Sequence, residues 1–184
     1  MRAIDVLMEE HRVIERVLDS LEAGAERLAR GESIRPAFFL EIADFATRFA
    51  DGCHHQKEEG VLFPAMTEHG APAHGGAIEM MLHEHDAGRA YVRRLREAAR
   101  QLEGGNRAAV KPLIAAAAGY AALLRDHIAK EDELLFPMAV EMIPESAHAE
   151  VMAKFERVEQ VDAGPRTHTD MLELAKRLQE EVSI

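Results

Sequence analysis

Apolar residues return every three or four positions through four long stretches of the chain, and each stretch breaks at glycine or proline. The first stretch carries Ile4, Leu7, His11, Ile14, Leu18, Leu21, Ala25 and Leu28, a spacing that makes one buried helical stripe with a histidine inside it. Gly31 closes that helix, Ser33 stands where it can cap the next, and Pro36 falls in the first turn, where a missing N–H is tolerated. The second stripe reads Phe39, Ala43, Ala46, Ala50, His54, Glu58, Val61 and Ala65, and stops at Gly70-Ala71-Pro72. The third runs Ile78, Met81, Leu82, His85, Gly88, Val92, Leu95, Ala99 and Leu102 to Gly104-Gly105. The fourth runs Leu113, Ala116, Tyr120, Leu124, His127, Glu131, Leu134 and Met138 to Pro144. Four long amphipathic helices with short connections predict an all-α fold, an up-down-up-down antiparallel four-helix bundle. Residues 1–143 form that bundle, and residues 144–184 add a helical C-terminal extension, packed on the bundle or on a partner.

An internal repeat supports the same reading. His54-His55-Gln56-Lys57-Glu58-Glu59-Gly60-Val61-Leu62-Phe63-Pro64 matches His127-Ile128-Ala129-Lys130-Glu131-Asp132-Glu133-Leu134-Leu135-Phe136-Pro137 at an offset of 73 (127 minus 54). Glu10-His11 matches Glu84-His85 at 74 (85 minus 11). Two helical hairpins related in this way bring four inward histidines to one depth of one core.

The polar residues in those stripes are chemically unusual. His and Glu at i and i+4 share a helix face about 6 Å apart along the axis, so both can turn to one point. Two carboxylates in an apolar seam need opposite charge, and no Lys or Arg stands in the four stripes to supply it. A cation is the simplest partner. Imidazole with carboxylate suits iron, manganese or zinc, and the lack of inward thiols disfavours iron–sulfur clusters and zinc ribbons. Two carboxylates able to bridge fit a dinuclear centre of two iron ions with an open position for a small molecule, zinc or manganese being the alternatives.

The order His, His-x-x-x-Glu, His, His-x-x-x-Glu, with Leu-Phe-Pro after each pair, resembles the hemerythrin HHE cation-binding family over about residues 1–143. The resemblance implies an up-and-down bundle around a non-haem di-iron centre, oxo- or hydroxo-bridged. His11, His54, His85 and His127 match the family's iron-binding histidines, and Glu58 and Glu131 match its bridging carboxylates. Oxygen-carrying hemerythrins have a further histidine one turn before the one matching His85, where this chain has Met81. Four histidines with two glutamates are similar instead to the bacterial branch linked to nitric oxide stress and iron–sulfur cluster repair. A water, or Glu15 one turn after His11, would then fill the vacant position.

Other residues are weighed against this centre. His55 and Glu59 repeat the i, i+4 spacing, but Asp51, Arg48 and Asp44 precede His55 on its face, so the pair is placed in solvent. His69, His74 and His83 are placed at the surface, and His148 and His168 lie in the tail without a paired carboxylate. Tyr120, about 10 Å along the axis from His127, is a core residue. Pro64 and Pro137 end or kink their helices symmetrically, and Cys53 is a buried thiol. The tail helices, with Val151, Met152 and Phe155, then Met171, Leu174, Leu178 and Val182, are separated by Gly164-Pro165 and offer a surface for a second copy.

Composition narrows the setting. A net charge of −11 opposes binding to nucleic acid or to an anionic membrane, and Arg93-Arg94-Leu95-Arg96 reads as a solvated face. No run of apolar residues approaches the roughly 20 that cross a bilayer. A lone cysteine and an N-terminus without the apolar core of a secretion signal make cytoplasmic residence the expectation. The functional expectation is a di-iron protein that binds or senses oxygen, nitric oxide or hydrogen peroxide, or handles iron. The alternative is a di-iron enzyme of peroxide or nitric oxide detoxification or iron–sulfur cluster repair, although the sequence offers no acid or base beyond the ligands. A third reading is an interaction module stabilised by its metal.

Overall fold

The structure, a computed structural model, describes residues 1–164 and 166–183, so Pro165 of the Gly164-Pro165 break lies outside the described residues. Among the described residues there are six helices and no strand. They are α1 (Arg2–Ala29), α2 (36–68), α3 (Ala77–Glu103), α4 (Arg107–Met142), α5 (148–162) and α6 (Thr167–Val182). The first four carry the predicted stripes. α3 packs against α2 and α4, and α4 packs against α1. The extension lies on the same chain: α5 and α6 both pack on α1, and α6 also packs on α2.

Two apolar clusters fill the interior. One gathers Ile14, Leu18, Phe38, Phe39, Leu95 and Leu124 with Met171, Leu174 and Leu178 of α6. The other gathers Ile4, Leu7, Leu62, Met81 and Phe136 with Val151, Phe155 and Val158 of α5. In each bundle helix the polar motif falls between the segments that feed the two clusters, so the histidines and glutamates form a layer sandwiched by hydrocarbon. By length and composition α4 is long and apolar enough to cross a membrane, although no unbroken apolar run in it approaches roughly 20 residues, because its alanines and scattered polar residues average to an apolar window. That apolar surface serves the interior, with Leu113, Ala117, Tyr120, Ala121 and Leu124 in the core.

Three details differ from expectation. α2 starts at Pro36 with Arg35 as its first flanking residue and no side-chain cap, so Ser33 does not cap it. Pro64 and Pro137 neither end nor break their helices, which run on to Glu68 and Met142. Instead the turn before each proline widens into a π turn, over Glu58–Leu62 and over Glu131–Leu135. The reason is local: a proline ring clashes with the carbonyl four residues back and donates no N–H, so the ladder relaxes outward. The Phe63 and Phe136 amides accordingly donate five residues back, to Glu58 and Glu131. The extra residue shifts the stripe beyond it, so Leu135 is buried and Leu134 is 64% exposed, the reverse of the sequence pattern.

Close packing of α1 on α2 depends on Gly24, where an added Cβ would collide with the ring of fully buried Phe38. Gly24→Ala is expected to destabilise the chain by about 1–3 kcal/mol through overpacking, despite a helix-propensity gain of about 1 kcal/mol. Urea unfolding measures the difference, and a variant as stable as the parent would show that Phe38 moves aside freely.

Candidate metal centre

His11 of α1, His54 and Glu58 of α2, His85 of α3, and His127 and Glu131 of α4 are all brought together, none more than 1% exposed. Every one of these imidazoles turns Nε2 toward the two carboxylates. His54 Nε2 lies 3.4 Å from Glu58 Oε1 and His85 Nε2 lies 3.4 Å from Glu58 Oε2. His11 Nε2 lies 3.2 Å from Glu131 Oε2 and His127 Nε2 lies 3.3 Å from Glu131 Oε1. Each carboxylate thus offers one oxygen to the His11–His54 end and the other to the His85–His127 end.

A fifth histidine joins them, contrary to the sequence reading. His55 is 5% exposed, and its ring stacks on that of His85 with centroids 3.8 Å apart and planes 12° apart. Ala46–His55 is wound as a π helix, in which each residue advances less around the axis than in an α-helix. Cys53, His54 and His55 therefore all face inward, whereas an α-helical count turns His55 to solvent. Ligand atoms of His55, Glu58, His85 and His127 lie within 4.8 Å of one another, as do those of His11, His54, Glu58 and Glu131.

Outside this layer lies a ring of carboxylates that the sequence reading missed. The Nδ1–H of His11 donates to Asp132 at 2.7 Å, that of His54 to Glu10 at 3.0 Å, and that of His85 to Glu59 at 2.6 Å. His127 donates to Glu84 at 3.0 Å and His55 to Asp51 at 3.3 Å. Such partners fix the tautomer that leaves Nε2 free and raise its basicity as a ligand. Each carboxylate is itself held by a cation: Arg12 on Asp132, Lys57 on Glu10, Arg89 on Glu59 and Asp51, and Lys130 on Glu84. The repeat held the signal. Glu10 and Glu84 precede matching histidines, and Glu59 and Asp132 follow matching glutamates.

The electrostatics of the metal-free chain are unbalanced. Both oxygens of Glu58 and of Glu131, and Nε2 of His11, are buried with no hydrogen-bond partner. Burial and the facing charge of Glu58 push Glu131 up to about 8. Burial would also raise Glu58, but the adjoining His54 and His85 outweigh it and hold it at about 2. His11 and His85 reach about 9, burial being outweighed by their carboxylate partners. Burial and neighbouring imidazoles drive His54, His55 and His127 down. A protein interior leaves few buried polar atoms unpaired, and buried carboxylates least of all. Two divalent or trivalent cations would satisfy all of these atoms at once, so the residues present fit a metal pair.

The sequence profile of the hemerythrin HHE cation-binding domain matches residues 2–139. The chain belongs to the hemerythrin HHE cation-binding family. Uncharacterized proteins of Mycobacterium bovis and of two Mycobacterium tuberculosis strains are similar to it, at 28% identity over 131 residues, covering 71% of this chain and 51% of each relative. The chain thus spans about half the length of the curated relatives it matches. No solved structure matches it. The family match stops before α5, so the extension is unexplained by it.

The remaining candidates stay outside the hemerythrin-like layer. Glu15 turns to Arg12, 2.9 Å away, and fills no position at the centre. Tyr120 is core, Met81 lies in the apolar cluster, and His69, His74 and His83 are exposed. His148 donates to the Ile143 carbonyl. His168 stands 3.7 Å from Glu10, beside the centre without reaching it.

Proposed function

We propose that the four helices form an up-down-up-down bundle that holds two non-haem iron ions. His11 and His54 would hold one iron, and His55, His85 and His127 the other, with Glu58 and Glu131 shared between them. What carries this reading is the set of four unpartnered, fully buried carboxylate oxygens, each within 3.4 Å of an imidazole Nε2 from one end of the layer. When bound, such a pair supplies Lewis acidity and one-electron chemistry toward a small diatomic molecule or peroxide. The chain's own part is to fix five imidazole tautomers, to exclude water with hydrocarbon on both sides, and to leave the His11–His54 end with one protein donor fewer than the other. That end is the place for a small ligand such as oxygen, nitric oxide or hydrogen peroxide. His55 supplies the further imidazole that the chain lacks at Met81, and this favours ligand binding over the repair and detoxification readings.

Elemental analysis of protein from iron-supplied cells, with absorption spectra before and after oxygen or nitric oxide, tests the proposal. Two irons per chain and a spectrum that responds to gas are expected; one zinc and no response would overturn it. Glu58→Ala and Glu131→Ala are each expected to remove most bound metal. Glu59→Ala is expected to weaken retention by roughly tenfold, since outer carboxylates typically contribute 10–100-fold, and chelator competition separates these grades. Full retention in Glu59→Ala would show that its contact with His85 does not orient the ligand.

A further inference from the structure

A cavity of about 380 Å³ opens between α2, α3 and α4, with His55 in its wall. The internal repeat shows how unusual it is. Gly88 and Val92 on its α3 side correspond, at an offset of 74 (88 minus 14), to Ile14 and Leu18, which are core residues. Where the first half of the repeat is filled by an isoleucine, the second half has no side chain at all. A Cβ at Gly88 would meet only Tyr120 Cε2, at 3.8 Å. Ala46, Val92 and the Tyr120 ring complete an apolar interior, and among the described residues the Tyr120 hydroxyl makes no hydrogen bond.

The rim inverts the character of the chain. Arg89, Arg93 and Arg96 correspond at the same offset to Glu15, Asp19 and Glu22, so a protein of net charge −11 places three arginines around one opening. Two are engaged: Arg89 with Asp51, Glu59 and Asp86, and Arg96 with Asp44 and Thr47. Arg93 is exposed and forms no ion pair among the described residues. An open cavity with an apolar interior and an exposed guanidinium free of ion pairs at its rim suits a ligand with a hydrocarbon part and one negative charge.

We infer that this cavity binds an amphipathic monocarboxylate, its hydrocarbon against Gly88, Val92 and Tyr120 and its head at Arg93. His55 is the shared wall between the cavity and the histidine layer, so the bound acid lies next to the centre without displacing any of its ligands. The site is part of the metal-free chain too and stands or falls apart from the di-iron reading.

Calorimetric titration of the full-length, iron-loaded protein with octanoate tests the site, with octanamide as the uncharged comparison. One octanoate per chain is expected, bound at least about tenfold more tightly than octanamide, with affinity falling as salt rises. Gly88→Leu, which refills the space as Ile14 does in the other half, is expected to abolish binding, and Arg93→Glu to weaken it by about tenfold or more. Gly88→Leu is checked by its melting curve; should it fail to fold, the exposed Arg93→Glu decides the matter. No octanoate binding, equal binding of octanamide, or affinity unchanged in Arg93→Glu would each overturn the inference. Octanoate binding to protein that takes up no iron would leave this inference standing and end the di-iron reading alone.

Discussion

Lys57→Met is expected to destabilise the metal-free chain by about 3–5 kcal/mol, the range for removing one partner of a buried ion pair. Lys57 is fully buried, and its ammonium sits between Glu10 of α1 and Glu159 of α5, the latter 2.5 Å away. Burial raises the Glu10 carboxyl and the Lys57 charge opposes that rise, so the ammonium is what lets the carboxylate exist there. Glu10 in turn accepts from His54 Nδ1. Methionine keeps the volume and removes the charge, leaving Glu10 and Glu159 to face each other beside a neutral imidazole. The repeat supplies the control. Lys130 occupies the matching place on Glu84 and His127, but its side chain is 27% exposed and also pairs with Asp126. Lys130→Met is therefore expected to change stability by less than about 1 kcal/mol, because solvent screens the pair and solvates what remains. Urea unfolding of both variants measures the contrast, and equal effects would mean that burial under α5 does not distinguish the two halves.

That contrast also shows what the extension does. α5 covers one half of a two-fold arrangement and leaves the other at the surface, so Lys57, Glu10 and His54 are buried beneath Glu159, whereas Lys130 in the matching chain Lys130–Glu84–His127 itself reaches solvent. Nothing in the local sequence of α5 announces this. Val151 and Phe155 mark an apolar face, but Glu159 looks like any other charge on a short helix until α5 lies against the Glu58–Leu62 turn.

The bundle stripes and the convergence of six inward histidines and glutamates were legible because they depend on spacing that every α-helical turn preserves, and because the repeat states the motif twice. His55, the exposed Leu134 and the docking of α5 were not, for two physical reasons. Helical phase was counted at one fixed angle per residue, and three π segments, at Ala46–His55, Glu58–Leu62 and Glu131–Leu135, each add a residue to the count. Pro64 and Pro137 flagged a disturbance, but sequence does not say whether a helix answers a proline by stopping, kinking or widening. Tertiary contacts decide, and here the flanking Phe63 and Phe136 are each packed in the core, holding the chain helical across the fault. The outer carboxylates were invisible for the second reason. Glu10, Glu59, Glu84 and Asp132 sit one position from an inward histidine or glutamate, where a helical wheel places them off the seam; they hold histidines of neighbouring helices rather than their own.

Stability of the metal-free chain is expected to fall as pH rises from about 6.5 to 9, opposite to the behaviour of the metal-loaded chain. Glu131 keeps its proton in the folded state up to about 8, and His11 and His85 keep theirs up to about 9, whereas the unfolded chain releases them near the ordinary carboxyl and imidazole values. A group whose folded pKa is raised contributes stability in full below its unfolded pKa, and that contribution is lost as pH climbs through the folded one. His54, His55 and His127 are shifted down and act in the opposite sense, but only below about 6.5, where unfolded imidazoles take up protons. Across the upper window Glu131, His11 and His85 all pull the same way, each by about 2–3 kcal/mol. Metal ions compete for the same sites as those protons, so their binding strengthens as pH rises. The stability gap between loaded and metal-free protein should therefore widen from pH 6.5 to 9, with acid releasing the metal. Melting curves of both forms at three pH values across the window measure the two slopes. A metal-free chain that grows more stable over that range would show that Glu131, His11 and His85 do not retain their protons in the folded state.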